Sequence, residues 1–239
     1  MRTISGVRRW ASDLFWAFYP ELCPGCGKAA ARAKTCFCVR CQSQLLPGDM
    51  CFLRENEFTE RLWGRIPLES GAALYFFQRR SPLQRALHRL KYHRQAHIGL
   101  QLGRLLGGQL KRSPFFRRVE AVVPVPLHPD KQQVRGYNQS ALIASGVSEA
   151  MGIPAFLGAL ERRRFSESQT RKRRMERFDN VAEVFVLAQP GAVAGKHILL
   201  VDDVLTTGAT LEACGRALVS APDVRLSMAT VAIATTRMR

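Results

Sequence analysis

Apolar residues recur along this chain with two different periods. Unbroken apolar runs bounded by polar or turn residues occur at 71–77 (GAALYFF), 121–125 (AVVPV) and 198–201 (ILLV). Such runs are the pattern of strands buried on both faces. Between the first two, Leu83, Leu87 and Leu90, and then Ile98, Leu102, Leu105 and Leu106, fall three or four positions apart. That spacing predicts two helices. The first opens with Ser81 as N-cap and Pro82 at the first helical position, and the second covers about 96–111. Asn138 to Met151 reads as a further helix, Phe156–Leu160 and Val184–Leu187 as short strands, about Gly208 to Val219 as a helix, and Arg225–Ala234 as a closing strand. Strands alternating with helices predict an α/β fold, a mostly parallel sheet with helices on both faces. No internal repeat or low-complexity linker interrupts it.

Length changes this picture little: 239 residues with 46% hydrophobic content make a good-sized domain plus a small appendage, with a core that needs no disulfides. No apolar run approaches the roughly 20 residues of a membrane span. The first residues join basic and apolar positions as a signal peptide does, but Asp13 interrupts the patch and Pro20-Glu21 follows without a small-residue cleavage site. This stretch is expected to be an amphipathic helix, and the protein cytoplasmic.

Charge adds more. Lys and Arg total 36 against 19 Asp and Glu, a net +17. From Ser70 to Val119 there is no acid, while eleven basic residues occur there. A second basic block, RRRFSESQTRKRRMER, spans 162–177. Such a field attracts polyanions, whether nucleic acid, phosphorylated metabolites or an acidic membrane surface.

Five of the seven cysteines fall within nineteen residues, as Cys23-Pro-Gly-Cys26, Cys36 and Cys38-Val-Arg-Cys41. An odd total in a chain with no export signal argues against a disulfide framework. Two CxxC knuckles can present four thiolates tetrahedrally to one zinc ion, and Gly25 and Gly27 suit the tight turns. Cys36 is an alternative third ligand, but only Cys38 keeps the CxxC spacing to Cys41. A dithiol redox pair is the competing reading of one CxxC; two in tandem favour structural zinc. Residues 1–60 are therefore expected to form an N-terminal helix and a zinc ribbon, and 61–239 the α/β domain.

The strongest chemical signal is the run from His197 to Thr210, HILLVDDVLTTGAT. A buried strand delivers Asp202 and Asp203 to the carboxyl end of the sheet, where open α/β folds bind ligands. The turn that follows, Thr206-Thr207-Gly208-Ala209-Thr210, opens a helix, and helix N-termini offer free N–H groups to a phosphate. One end grips a phosphate while the carboxylates lie a sugar's width away, able to accept hydrogen bonds from vicinal hydroxyls.

This arrangement closely resembles the phosphoribosyl-pyrophosphate motif of type I phosphoribosyltransferases. The resemblance extends over nearly the whole chain: CPGC and CVRC, LHRLKYH (87–93), PVPLHP (124–129), RGYNQ (135–139), and Gln169, Arg177 and Asn180-Val181 are together similar to the ComF family. Two departures occur, TRKRRMER after Gln169 where that family has a Leu, and Ala221-Pro222 in place of Gly-Ala.

The resemblance implies a zinc ribbon joined to a type I phosphoribosyltransferase domain, phosphoribosyl pyrophosphate with Mg²⁺ as ligand, and a role in DNA uptake during natural competence with uptake-machinery proteins as partners; single-stranded DNA is the partner that the basic surface itself suggests. It makes PVPLHP the pyrophosphate loop, with Pro126 in it and Lys131 and Arg135 supplying cationic charge, and the basic block 162–177 a hood over the ligand. Asp202 and Asp203 then anchor the ribose hydroxyls, and Thr206, Thr207, Gly208, Ala209 and Thr210 the 5′-phosphate. His88, His93 and His97 are candidates by residue type alone for a general base. A protein that senses the ligand without turnover, or one that binds single-stranded DNA, is the alternative.

Overall fold

The computed structural model describes residues 22–28, 36–163 and 185–234. The expected N-terminal helix, and Gln169, Arg177, Asn180 and Val181 of the basic region, lie outside them. After a helical turn α1 (Val39–Gln42), strand β1 (Leu46–Pro47) and a short helix α2 (Glu57–Glu60), the chain enters β2 (Ser70–Phe77), α3 (Pro82–Tyr92), α4 (Ala96–Leu110), β3 (Ala121–Pro124), α5 (Pro129–Arg135) and α6 (Gln139–Met151). It continues through β4 (Leu160–Arg162), β5 (Phe185–Leu187), α7 (Pro190–Val193), β6 (His197–Leu205), α8 (Ala209–Val219) and β7 (Arg225–Ala234).

The main sheet has the order β1-β2-β7-β6-β3; β1 is antiparallel to β2, and every other pair is parallel. The apolar runs read from the sequence become β2, β6 and the edge strand β3. Val122, Val123, Ile198, Leu199, Leu200, Val201, Val231 and Ala232 are all fully buried. Burial of each larger aliphatic side chain stabilises the fold by about 1.5–3 kcal/mol. Ser81 caps α3 as expected, accepting from the Gln84 N–H at 3.1 Å, and Leu83, Leu87 and Leu90 form its buried face.

Helices α4 and α6 cross almost in backbone contact. A Cβ added at Gly103 would lie 2.1 Å from the Ile143 carbonyl oxygen, and one at Gly146 would lie 2.2 Å from that of Leu100. The close crossing fixes where α6 begins, beside the carboxyl ends of β3 and β6.

Two elements differ from the sequence reading. Phe156–Leu160 is not one strand: Ala155 bridges Val122, with the Val122 N–H donating to Pro154 and the Phe156 N–H to Val122. The chain then turns, and β4 begins at Leu160 to pair antiparallel with β5. Apolar content correctly signalled contact with the sheet edge, but Gly158 sits where the chain turns between two pairings. Strand β6 also runs past Val201 to Leu205, so the acid pair lies within paired strand rather than beyond it.

Candidate functional site

Strand β6 aligns Val201 with Pro124 of β3, and the Val125 N–H donates to the Val201 carbonyl at 2.9 Å. The exit of PVPLHP is thereby fixed against the start of the acid pair. Asn138, the N-cap of α6, closes the same corner: its side-chain amide donates to the Val125 carbonyl at 2.9 Å while its Oδ1 accepts from the Ser140 N–H at 3.0 Å. The Ser140 hydroxyl then donates to Asp202 Oδ1 at 2.7 Å, and the Asp203 N–H donates to the same oxygen at 2.8 Å. The acid pair and the residue that follows RGYNQ, 62 residues apart as Asp202 and Ser140, meet here.

The two acids differ in environment. Burial, and then the neighbouring Asp203 charge, raise the Asp202 carboxyl from its ordinary 3.8 to about 7. The Ser140 hydroxyl, the Asp203 N–H and Lys91 only partly oppose this. Asp203 pairs with the Lys91 ammonium at 2.5 Å. A poorly solvated carboxylate beside a paired one strengthens its hold on any donor that reaches it.

The turn after β6 exposes Thr206 and Thr207 and places Gly208 at φ +85°. That left-handed conformation, with Leu62 Cδ2 and Arg65 Nη1 lying where a Cβ would stand, requires glycine. Gly208 is the N-cap of α8 and makes no side-chain cap to it. The amides of Ala209 and Thr210 sit at the positive end of an eleven-residue helix. Thr206, Thr207 and Gly208 form the turn between β6 and α8, and Ala209 and Thr210 are the first residues of that helix.

The expected cations lie beyond the PVPLHP exit. Lys131 and Arg135 on α5, with Lys91, Tyr92 and Arg94 at the end of α3, line a cavity of about 470 Å³. Arg135 stacks over the Tyr92 ring at 5.4 Å. Pro126 lines a different cavity, of about 610 Å³, with Tyr137, Asn138 and Arg162. His88, His93 and His97 are exposed, and His88 stacks against both Tyr92 and His93, at 4.8 and 5.4 Å.

The sequence reading missed Lys91, Ser140, Arg61 and Arg65. Lys91 lies within the LHRLKYH segment but is one of several basic residues there, and Ser140 is one serine in a helix first turn, so nothing local marks either as a partner of the acid pair. Both are found only when the sheet register is known.

At the N-terminal side, the Sγ atoms of Cys23, Cys26, Cys38 and Cys41 lie within 4.8 Å of one another. Cys26 and Cys38 are 3.7 Å apart. A tetrahedron of roughly 2.3 Å zinc–sulfur bonds has edges of about 3.8 Å, so the donor set fits zinc. Cys38, not Cys36, completes the group. Burial alone would raise the Cys23 thiol, but the N–H groups of Cys38, Cys26 and Gly25 outweigh it and lower the thiol to about 7. Cys41, buried among the other sulfurs, shifts upward. Arg85 and Arg89 of α3 fix this module by donating to the carbonyls of Gly25, Cys23 and Pro24.

Residues 138–236 match the phosphoribosyl transferase domain family. The chain is 34% identical to competence protein F of Haemophilus influenzae over 134 residues, 54% of this chain and 58% of that protein. It is 29% identical to DNA utilization protein YhgH of Salmonella typhimurium over 194 residues, 80% of this chain and 74% of that one. It is 32% identical to competence protein ComFC of Bacillus subtilis over 97 residues, 41% of this chain and 37% of that one. The matched regions thus span little more than half of competence protein F. No helix among the described residues is long and apolar enough to cross a membrane. With its type I phosphoribosyltransferase fold and a four-cysteine cluster compatible with a zinc ribbon, the chain is similar to the competence and DNA utilization proteins of this group.

Proposed function

We propose that the chain binds phosphoribosyl pyrophosphate at the carboxyl ends of β3 and β6 and acts as a phosphoribosyltransferase in DNA uptake or utilisation. The observation that carries this reading is the corner where Asn138 holds the Val125 exit and Ser140 holds Asp202, with the glycine-capped start of α8 following the acid pair directly along the chain. In this reading Thr206, Thr207, Gly208, Ala209 and Thr210 hold the 5′-phosphate, and Asp202 and Asp203 accept hydrogen bonds from the ribose hydroxyls. Pro126 lies in the pyrophosphate loop, and Lys131 and Arg135 supply its positive surroundings.

The chemistry is departure of pyrophosphate from C1 through an oxocarbenium-like state, in which positioning and fixed charge do most of the work. The magnesium that accompanies such a diphosphate supplies charge neutralisation of the leaving group. The carboxylates of Asp202 and Asp203 stabilise the positive ring that develops. The four-cysteine group holds zinc as a closed structural site, with no open position for substrate. The DNA role is supported by the names of the relatives, competence protein F and DNA utilization protein YhgH.

Calorimetric titration with magnesium phosphoribosyl pyrophosphate tests the site. Replacing both acids, Asp202→Ala with Asp203→Ala, is expected to abolish binding without unfolding the protein, and unchanged affinity would refute their role. Pyrophosphate release that depends on an added acceptor separates turnover from sensing.

A second reading is favoured by the exposed Tyr92 ring among Lys91, Arg94, Lys131 and Arg135. An aromatic face set among cations is what single-stranded nucleic acid binds. In that case affinity for a single strand falls steeply with added salt, and a flat dependence removes the reading.

A further inference from the structure

The phosphate turn is held from outside by a segment that lies before the matched transferase domain. Just after α2, Arg61 donates from Nη1 to the Thr206 carbonyl at 2.9 Å, and four residues on Arg65 donates from Nη1 to the Thr207 carbonyl at 2.8 Å. Neither guanidinium is loosely placed. Arg61 pairs with Glu57 and donates to the Ala234 carbonyl at the end of β7. Arg65 donates to the Arg61 carbonyl at 3.0 Å and pairs with Glu212 in the first turn of α8, and Glu212 in turn pairs with Arg216 at 2.9 Å. Between the two arginines, the buried Leu62 lies against Gly208.

We infer that Arg61 and Arg65 are positioning residues for monoester-phosphate recognition: they tie the Thr206 and Thr207 carbonyls to the outside of the turn, so that the amides of the turn and of the start of α8 face the cleft. This inference rests on the phosphate-binding reading above and adds to it the residues that shape the grip.

The physical argument is one of preorganisation. A turn of exposed threonines around a positive-φ glycine has several accessible backbone states, and an anion gains most when the N–H groups are already aligned. A peptide unit whose carbonyl is engaged by a guanidinium cannot flip that oxygen toward the phosphate. Glu57 matches the charge of Arg61, while Glu212 is shared between Arg65 and Arg216 and offsets only part of theirs, so the contribution of Arg61 is geometric and that of Arg65 is both geometric and coulombic. Glu212 would otherwise repel an anion at this helix end; Arg65 and Arg216 together neutralise it.

The sequence carries the pair as two arginines four apart, without any feature that marks them as belonging to a turn some 140 residues later. The capping box of α2 explains how they are aimed. The Asn56 side chain accepts from the Phe58 and Thr59 N–H groups and donates to the carbonyls of Met50, Leu53 and Gly71, which anchors α2 to β2.

The test uses the full chain and two partial ligands, ribose 5-phosphate and magnesium pyrophosphate, titrated separately by calorimetry. Arg61→Gln and Arg65→Gln are expected to weaken ribose 5-phosphate binding at least tenfold while leaving magnesium pyrophosphate within twofold. Arg65→Lys, which keeps charge and one donor, is expected to recover part of the loss. Arg104→Gln, which removes an exposed pair with Glu149, serves as the control and is expected to change neither ligand. Unchanged ribose 5-phosphate affinity in Arg65→Gln, or equal loss for both ligands, overturns the inference. If Arg61→Gln fails to fold, Arg65→Gln and Arg65→Lys carry the same comparison. If the unaltered protein binds no ribose 5-phosphate, the phosphate-site reading itself falls, an outcome distinct from failure of the arginine clamp.

Discussion

Asp202→Asn is expected to make the free protein more stable while weakening its hold on ligand. The substitution keeps an oxygen at the position that accepts from the Ser140 hydroxyl and the Asp203 N–H, and it removes the charge that burial and Asp203 disfavour. An acid raised from 3.8 to about 7 in the folded chain binds protons there that the unfolded chain has already lost. Its ionisation therefore costs stability as pH rises through this window and costs nothing below it. At about 1.4 kcal/mol per pH unit the full penalty above pH 7 is on the order of a few kcal/mol, and at pH 5 it is less than half of that. Urea unfolding of both proteins at pH 5 and pH 8 is the assay. The advantage of the variant is expected to grow by about 2 kcal/mol or more between the two pH values. An advantage that stays constant with pH, or a variant less stable than the parent at pH 8, would refute the reasoning that a strained carboxylate is held in readiness here.

The same raised carboxyl predicts proton release on binding. Ribose hydroxyls that donate to Asp202 favour its ionised form, so apparent affinity for magnesium phosphoribosyl pyrophosphate rises from pH 6 to pH 8, and the calorimetric heat at pH 7 varies with the ionisation enthalpy of the buffer. Heats independent of buffer would contradict this. Gly103→Ala drives a methyl into the Ile143 carbonyl across the α4–α6 crossing and is expected to cost about 3 kcal/mol, the upper end of overpacking, read as a lowered urea midpoint. Stripping metal with a chelator is expected to abolish hydrogen-exchange protection near Cys23–Cys41 while β6 keeps its protection; a ribbon that stays ordered without metal would remove the zinc assignment. Asn138→Ala, which frees the Val125 carbonyl and removes the cap of α6, is expected to cost about 1 kcal/mol in stability and to weaken magnesium pyrophosphate binding as well.

Much of this was legible in the primary sequence because the signals are local. Apolar runs of four to seven residues marked the strands, Ser81-Pro82 marked a helix start, and CxxC spacing marked the sulfurs. The acid pair and the turn proposed to hold phosphate are likewise contiguous, so that proposal can be read from fourteen letters. What stayed hidden depends on register. Ser140 reaches Asp202 only because α6 is set by its glycine crossing with α4, and Lys91 reaches Asp203 only because α3 ends beside β6. Arg61 and Arg65 act on a turn far along the chain through contacts that no periodicity records. The Phe156–Leu160 misreading has the same origin: an apolar segment at a sheet edge was divided between two partners, which composition alone does not distinguish.

The central claim concerns one corner of the sheet, and a crystal soaked with magnesium phosphoribosyl pyrophosphate examines it most directly. The account predicts the monoester phosphate against the backbone amides of Thr207 to Thr210, with the ribose hydroxyls on the Asp202 and Asp203 carboxylates. Ligand density elsewhere, with those amides turned away and the carboxylates bonded only to Ser140 and Lys91, would contradict it.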